Sequence, residues 1–189
     1  MKKLLSVICI IILGASYAQA QNVSVGVRAG LNFSTVSVSG GGYTVAPSTR
    51  TRIILGGYGT IMFNDKIGLQ PELFYLGNGY TNGGTTVKLN YVSLPVLFRY
   101  NITEMFHLLA GPQLGVLMSA KAGSVDIKDG FNSSDFGIAT GIGLDFGKFN
   151  AGVRYYAGLS NIDKTSSGLT EKNHSFQLMA GYKLFGMGK

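Results

Sequence analysis

The chain has 189 residues and a formal net charge of +7, while only 13% of its positions are charged. Glycine occurs 28 times without a G-X-Y repeat and beside only 4 prolines, which excludes a collagen-like chain. A hydrophobic content of 46% excludes an intrinsically disordered chain, because such a chain can bury enough apolar surface to fold. The basic residues are scattered rather than clustered, so the composition does not predict a nucleic-acid partner.

The first 20 residues have the features of a secretory signal peptide. Two lysines precede an apolar run over residues 4–15, and Ala18-Gln19-Ala20 is a small-residue cleavage site. The run is too short to cross a bilayer as a helix, which takes about 20 residues. Cleavage after Ala20 would leave one domain over residues 21–189 and would remove Cys9, the single cysteine of the chain. The exported chain would then have no disulfide and no thiolate metal site.

The remaining sequence has a hydrophobic period of two, which is typical of β-strands. From Val23 to Phe33 the odd positions are apolar and the even positions are small or polar. The same alternation returns over residues 135–146 and 149–160, on either side of the predicted turn Gly147-Lys148. Five less regular segments bring the predicted strands to eight: residues 52–63, 67–79, 87–100, 106–119 and 173–185.

Long and short connections alternate between these predicted strands. Longer loops over residues 35–51, 79–86, 120–134 and 161–172 share one rim, and tight turns share the other. An even number of antiparallel strands connected in this way is the organisation of outer-membrane barrels. The sequence therefore predicts an all-β fold, an eight-stranded antiparallel up-and-down transmembrane β-barrel. Both mature termini would lie on the short-turn side, in the periplasm.

Alternation alone does not separate a membrane barrel with an apolar outer face from a soluble periplasmic lipid-binding barrel with an apolar interior. The less apolar face is mostly Gly, Ser, Asn and Ala with few charges, which suits the crowded interior of an eight-stranded barrel. Each predicted strand also exceeds the about 9–11 residues that cross the hydrocarbon layer. We therefore expect the apolar face to contact lipid in the outer membrane of a Gram-negative cell.

Aromatic residues on the apolar parity flank the short turns, where membrane barrels carry an interfacial girdle. The predicted girdle consists of Phe63, Tyr100, Phe106, Phe146 and Phe149.

Charged and amide side chains occur at intervals on the predicted lumen face. They are Arg28, Glu72, Gln113 and Arg154 near the middle of their strands, and Arg99, Asp145 and Lys183 nearer the short turns. Because a buried charge is costly unless it is paired, we expect two layers of ion pairs that plug the lumen. Glu72 would lie between Arg28 and Arg154, and Asp145 beside Arg99 or Lys183. A polar path or proton relay is the functional alternative for the same residues.

The two histidines do not predict a catalytic or metal site. His174 and Ser175 lie near the long-loop rim, with Glu171 close in sequence, but adjacent strand residues point to opposite faces of a sheet. His107 lies near the opposite rim. We therefore expect no enzymatic activity, no cofactor and no metal, with a rim-active outer-membrane lipid hydrolase as the alternative.

Five motifs resemble the PorT-like family of outer-membrane β-barrel proteins, small barrels similar to the OmpX and OmpA-type transmembrane domains. The motifs are GVRAGLNF at 26–33, LQPELFY at 69–75, LPVLFRY at 94–100, GPQLG at 111–115 and RYY at 154–156. The family takes its name from a member tied to a protein-secretion system. The resemblance implies an outer-membrane barrel with a structural or interaction role and a link to secretion.

The expected partners follow from the two ends of the barrel. Residues 181–185, GYKLF, resemble the terminal signal that the barrel-assembly machinery recognises. At the other end, basic residues would meet outer-membrane lipid and the phosphates of lipopolysaccharide: Arg50, Arg52, Lys88, Lys121, Lys128, Lys164 and Lys172. Four acidic residues dilute this charge: Asp126, Asp129, Asp163 and Glu171. We expect a monomer with a protein partner at the long loops and no nucleic-acid partner.

Overall fold

The computed structural model describes residues 22–40, 43–45, 48–82, 84–165 and 168–187. Its strands are β1 (Asn22–Gly40), β2 (Tyr43–Val45), β3 (Ser48–Met62), β4 (Ile67–Asn82), β5 (Thr85–Asn101), β6 (Phe106–Ala122), β7 (Val125–Asp126), β8 (Ser134–Phe146), β9 (Phe149–Gly158) and β10 (Thr170–Met187). The described residues also include a 3-10 turn at Lys128–Gly130, and they contain no helix long and apolar enough to cross a membrane. The predicted signal peptide and Gln21 lie outside the described residues.

Eight long strands form a closed antiparallel ring. Each of them pairs with the next long strand along the chain, and β10 pairs with β1 to complete the circle. The two short strands, β2 and β7, add to the long-loop ends of β1 and β6. The predicted eight-stranded up-and-down barrel is therefore confirmed, and the short strands belong to its loops.

The strands reach further toward the long loops than the alternation predicts. β1 continues to Gly40 and β3 begins at Ser48, so most of the predicted loop over 35–51 is strand. The reason is pairing across the closure of the ring, since residues 35–39 lie opposite residues 170–174 of β10. On the other rim the turns are short, and Gly147 adopts φ 63°, a left-handed conformation that suits glycine in a two-residue hairpin turn.

The apolar face of the wall points outward. Val25, Val27 and Leu31 are about half exposed, whereas Arg28 and Asn32 on the opposite parity are buried. A soluble lipid-binding barrel would have the reverse arrangement, so this alternative is wrong. All five residues of the predicted girdle are exposed on the outside: Phe63, Tyr100, Phe106, Phe146 and Phe149.

Candidate functional site

A buried carboxylate lies at the centre of the lumen, where it pairs with two arginines from the strands on either side of β10. Glu72 Oε1 accepts hydrogen bonds from Arg28 Nη1 at 2.9 Å and from Arg154 Nη2 at 2.8 Å. Its Oε2 accepts a third from Arg154 Nη1 at 2.6 Å. Arg154 therefore binds the carboxylate through two parallel hydrogen bonds, the strongest geometry for this pair of groups.

These three side chains meet because each occupies the lumen parity near the middle of its strand, on β1, β4 and β9. A tyrosine ring and an asparagine amide make further contacts with Arg28. The Arg28 guanidinium carbon lies 4.5 Å from the centre of the Tyr58 ring, and Arg28 Nε donates to Asn150 Oδ1 at 3.0 Å. Two guanidinium groups thus share one carboxylate and a set of neutral acceptors, as a buried charge requires.

A second ion-pair cluster lies closer to the short turns. Arg99 Nη2 donates to Asp145 Oδ2, and His107 Nδ1 lies 3.3 Å from the same oxygen. Gln70 connects the two clusters, because its Oε1 accepts from Arg99 Nη1 at 3.3 Å while its Nε2 donates to Glu72 at 2.6 Å. The two ion-pair clusters therefore form one continuous hydrogen-bonded network.

Two of the predicted network residues remain outside these clusters. Gln113 is buried and faces the lumen, but it does not take part in the hydrogen bonds of either cluster. Lys183 lines the open cavity at the turn end, and Asp145 pairs with Arg99 instead. The network also includes residues that the sequence argument missed, among them Tyr58, Gln70 and Asn150. Gln70 could have been found, since it lies two residues before Glu72 on the same face of the strand.

The short-turn end of the lumen is an open polar cavity of about 480 Å³. Its lining includes Arg99, Asp145, Asn150 and Lys183. The cavity ends where the Glu72 cluster begins, because the side chains of that cluster are fully packed across the ring. Water can therefore enter the barrel from the turn side as far as Arg99.

The long-loop half of the lumen contains an apolar cluster beside buried polar groups, where Asn32 Nδ2 donates to Asn78 Oδ1 at 2.7 Å and Asn173 Nδ2 donates to Asp135 Oδ2 at 2.9 Å. Buried side chains from several strands pack together on the loop side of Glu72: Val36, Ile54, Phe74, Leu76, Leu89, Tyr91, Leu117 and Met179. The prediction of a lumen face of small and polar residues therefore does not hold for this cluster. Leu73, Phe74, Tyr75 and Leu76 show why, since an apolar run on both faces of β4 hides the alternation.

Two long loops close the apolar half. Ile162, from the connection between β9 and β10, is fully buried in the apolar cluster. Its backbone N–H donates to Glu171 O at 2.8 Å, and its carbonyl accepts from Asn132 N at 2.8 Å. The Asn132 side chain also donates to Asn161 O at 2.9 Å, so the β6–β8 and β9–β10 connections hold each other over the lumen.

A serine and a histidine meet on the outer face near the long-loop rim. Ser37 Oγ lies 3.0 Å from His174 Nε2, and Tyr155 Oη lies 3.2 Å from His174 Nδ1. Ser175 faces the lumen and is buried, as the strand parity predicts. Ser37 could not be paired with His174 from the sequence, because the two residues are 137 positions apart and meet only through the β1–β10 register.

Comparisons with known proteins agree with this architecture. The family model described as "Outer membrane protein beta-barrel domain" matches residues 18–164. No curated protein matches the chain.

Three solved structures illustrate the likeness. Neisserial surface protein A has a TM-score of 0.54 and 14% identity, over 86% of this chain and 99% of its own. Ail of Yersinia pestis, in complex with the heparin analogue sucrose octasulfate, has a TM-score of 0.51 and 19% identity, over 87% and 99%. OprG of Pseudomonas aeruginosa has a TM-score of 0.50 and 15% identity, over 87% and 96%.

At these identities the solved structures show the fold alone, while the family model covers most of the chain. The closed ring, the apolar outer wall and the charged interior fit the same assignment. The chain belongs to the outer membrane protein β-barrel domain family and is a small barrel of the Gram-negative outer membrane.

Proposed function

We propose that the protein is a structural or interaction-mediating barrel whose lumen is closed to solute flow. The observation that carries the proposal is the filling of the lumen at two levels, by the Glu72 cluster and by the apolar cluster that contains Ile162. A solute would have to displace Arg154 from its bidentate pairing and then cross the packed apolar cluster. Both steps are costly in a medium of low dielectric constant.

Single-channel recording in a planar bilayer tests the closed lumen. The purified barrel should give no stable current, whereas a trimeric porin in the same bilayer serves as the positive control. A reproducible current of porin size would overturn the proposal.

We infer that the long loops face the cell exterior and contact a protein partner, a role linked to secretion through the PorT-like resemblance. Val125, at the tip of β7, is 63% exposed, and Ile102, in the turn between β5 and β6, is 55% exposed. Val125 belongs to the connection between β6 and β8, and both side chains lie outside the lipid-facing wall. The two positions also mark the two rims, which makes them suitable for labelling.

Cysteine variants at these positions test both parts of this inference. A membrane-impermeant maleimide should label Val125→Cys in intact cells, and it should label Ile102→Cys only after the outer membrane is opened. Labelling in the opposite order would overturn the orientation. A crosslinker attached at position 125 should capture a component of a secretion system. If it captured only lipid, the interaction role would be wrong.

A rim-active lipid hydrolase is the second candidate, because Ser37 and His174 are within hydrogen-bonding distance. Ser37 Oγ would attack an ester carbonyl while His174 Nε2 takes its proton and passes it to the departing alcohol. Water would then hydrolyse the acyl-serine and release a fatty acid. However, the neutral Tyr155 hydroxyl occupies the place where a catalytic triad has a carboxylate that stabilises the imidazolium.

Acylation of lipid A distinguishes the two candidates. Cells that produce the wild type, Ser37→Ala, His174→Ala or the lumen-facing control Ser175→Ala should contain the same lipid A species by mass spectrometry. Loss of an acyl chain in the wild type and the control, but not in Ser37→Ala or His174→Ala, would establish the hydrolase instead.

A further inference from the structure

Four basic residues on β3, β5 and β6 lie on one side of the barrel, at the long-loop end of the lipid-facing wall. We call Arg50, Arg52, Lys88 and Lys121 the basic wall. Lys88 and Lys121 are direct partners in the β5–β6 register. Two like charges at directly opposed positions of neighbouring strands repel each other, so the arrangement is unfavourable without a counter-ion.

The two arginines of the basic wall are held in place by neutral acceptors. Arg52 Nη2 donates to Asn90 Oδ1 at 2.7 Å, and Asn90 Nδ2 donates to Ser119 Oγ at 2.8 Å. Arg50 Nη1 donates to Thr86 Oγ1 at 3.0 Å. These contacts fix the guanidinium groups without neutralising them.

Glycines on β4 make room for this arrangement. Gly77 is the register partner of Asn90, and Gly79 is the partner of Lys88. A Cβ atom at Gly77 would collide with the Arg52 side chain, so only glycine lets Arg52 reach across β4 to Asn90. The Arg52 side chain occupies the space that a side chain at Gly77 would take.

The ion pairs of Glu72 and Asp145 do not include any residue of the basic wall. All four of these pairs involve other basic groups, in the lumen. Asp126 is the register partner of Lys121, but its Oδ1 accepts from the backbone N–H of Lys128 at 2.9 Å. An anion from outside the chain would therefore offset the charge of the basic wall.

The basic wall begins where the apolar outer surface ends. Tyr75 is half exposed one outward position before Gly77 on β4, and Ile53 on β3 and Met118 on β6 are exposed as well. Successive outward positions along a strand are about 6.6 Å apart. The basic side chains therefore lie about one such step beyond the last apolar side chains of the outer wall, at the level of the lipid headgroups.

We propose that the basic wall binds the phosphate groups of lipopolysaccharide in the outer leaflet, with the acyl chains against the apolar surface below it. The charge complementarity and the position at the end of the apolar band both favour a membrane glycolipid that carries phosphates. The proposal rests on the inference that the long loops face the cell exterior. Of the seven basic residues that the sequence analysis expected to contact lipopolysaccharide, the proposal assigns this role to the four of the basic wall.

A titration of the refolded barrel in detergent with fluorescent lipid A tests the proposal. Lys88→Gln/Lys121→Gln should bind roughly thirtyfold more weakly than the wild type, because each basic residue at a lipid surface contributes about fivefold. The matched control is Lys66→Gln/Lys148→Gln, which removes two exposed lysines from the short turns and should leave the affinity unchanged. Dephosphorylated lipid A should bind as weakly to the wild type as intact lipid A binds to the Lys88/Lys121 variant.

Two results would overturn the proposal. One is equal binding of lipid A to the wild type and to the Lys88/Lys121 variant, when both have the same heat-modifiable gel mobility of a folded barrel. The other is equal binding of lipid A and of an anionic phospholipid, which would mean that any membrane phosphate suffices. Labelling of Val125→Cys in intact cells is measured separately, so failure of the lipid site can be told apart from a wrong orientation.

Discussion

The two halves of the lumen close the same barrel by opposite chemistry. On β4, Gln70 and Glu72 belong to the ion-pair network, while Phe74 and Leu76, the next two lumen positions, belong to the apolar cluster. The polar half depends on matched partners, because a member that loses its partner becomes a buried charge or an unsatisfied buried polar group. The apolar cluster depends mainly on volume, because its aliphatic members make no directional contacts. The two halves should therefore respond differently to the same kind of substitution.

Removal of the central carboxylate should have the largest effect. Glu72→Ala leaves Arg28 and Arg154 buried without their counter-charge, and breaking such a pair costs about 3–5 kcal/mol in the free energy of unfolding. Denaturant unfolding of the barrel in lipid vesicles measures this loss. The exposed turn residue offers a matched control, since Glu104→Ala should change the stability by less than about 0.5 kcal/mol. Similar losses for both variants would mean that the cluster does not stabilise the fold.

A core truncation in the apolar half should have the next largest effect. Leu89→Ala opens a cavity in a fully buried cluster and should lower the unfolding free energy by about 3 kcal/mol. The same substitution on the outer wall, Leu108→Ala, should cost less than about 1 kcal/mol, because lipid chains are as apolar as leucine and can fill the gap. If both substitutions had equal effects, the lumen of this half would not be packed.

The turn-side ion pair should be the least sensitive of the three. Asp145→Asn weakens the pair with Arg99, but the open cavity lets water solvate the arginine, so we expect a loss of about 1 kcal/mol. Asp65→Asn, in an exposed turn, is the control and should be neutral. A loss as large as that of Glu72→Ala would show that the cavity is not hydrated.

The contact of Glu72 with Arg28 and Arg154 could be expected from the sequence, because all three lie on the lumen parity near the middle of clear strands. Asp145 beside Arg99 follows from the same argument. The apolar half could not be expected in this way. There the segment from Leu73 to Leu76 is apolar on both faces, and periodicity assigns neither face to the lumen.

Period-two alternation and the spacing of the turns are enough to require eight antiparallel strands with one apolar face, because each strand must expose one parity to each side of the sheet. Closure of the ring decides the rest. The register between β1 and β10 brings Ser37 to His174, and the register of β5 with β6 brings Lys88 to Lys121. Contacts between distant strands depend on how many residues each strand is shifted along its neighbour. Packing of the whole barrel sets that shift, and no local pattern contains it.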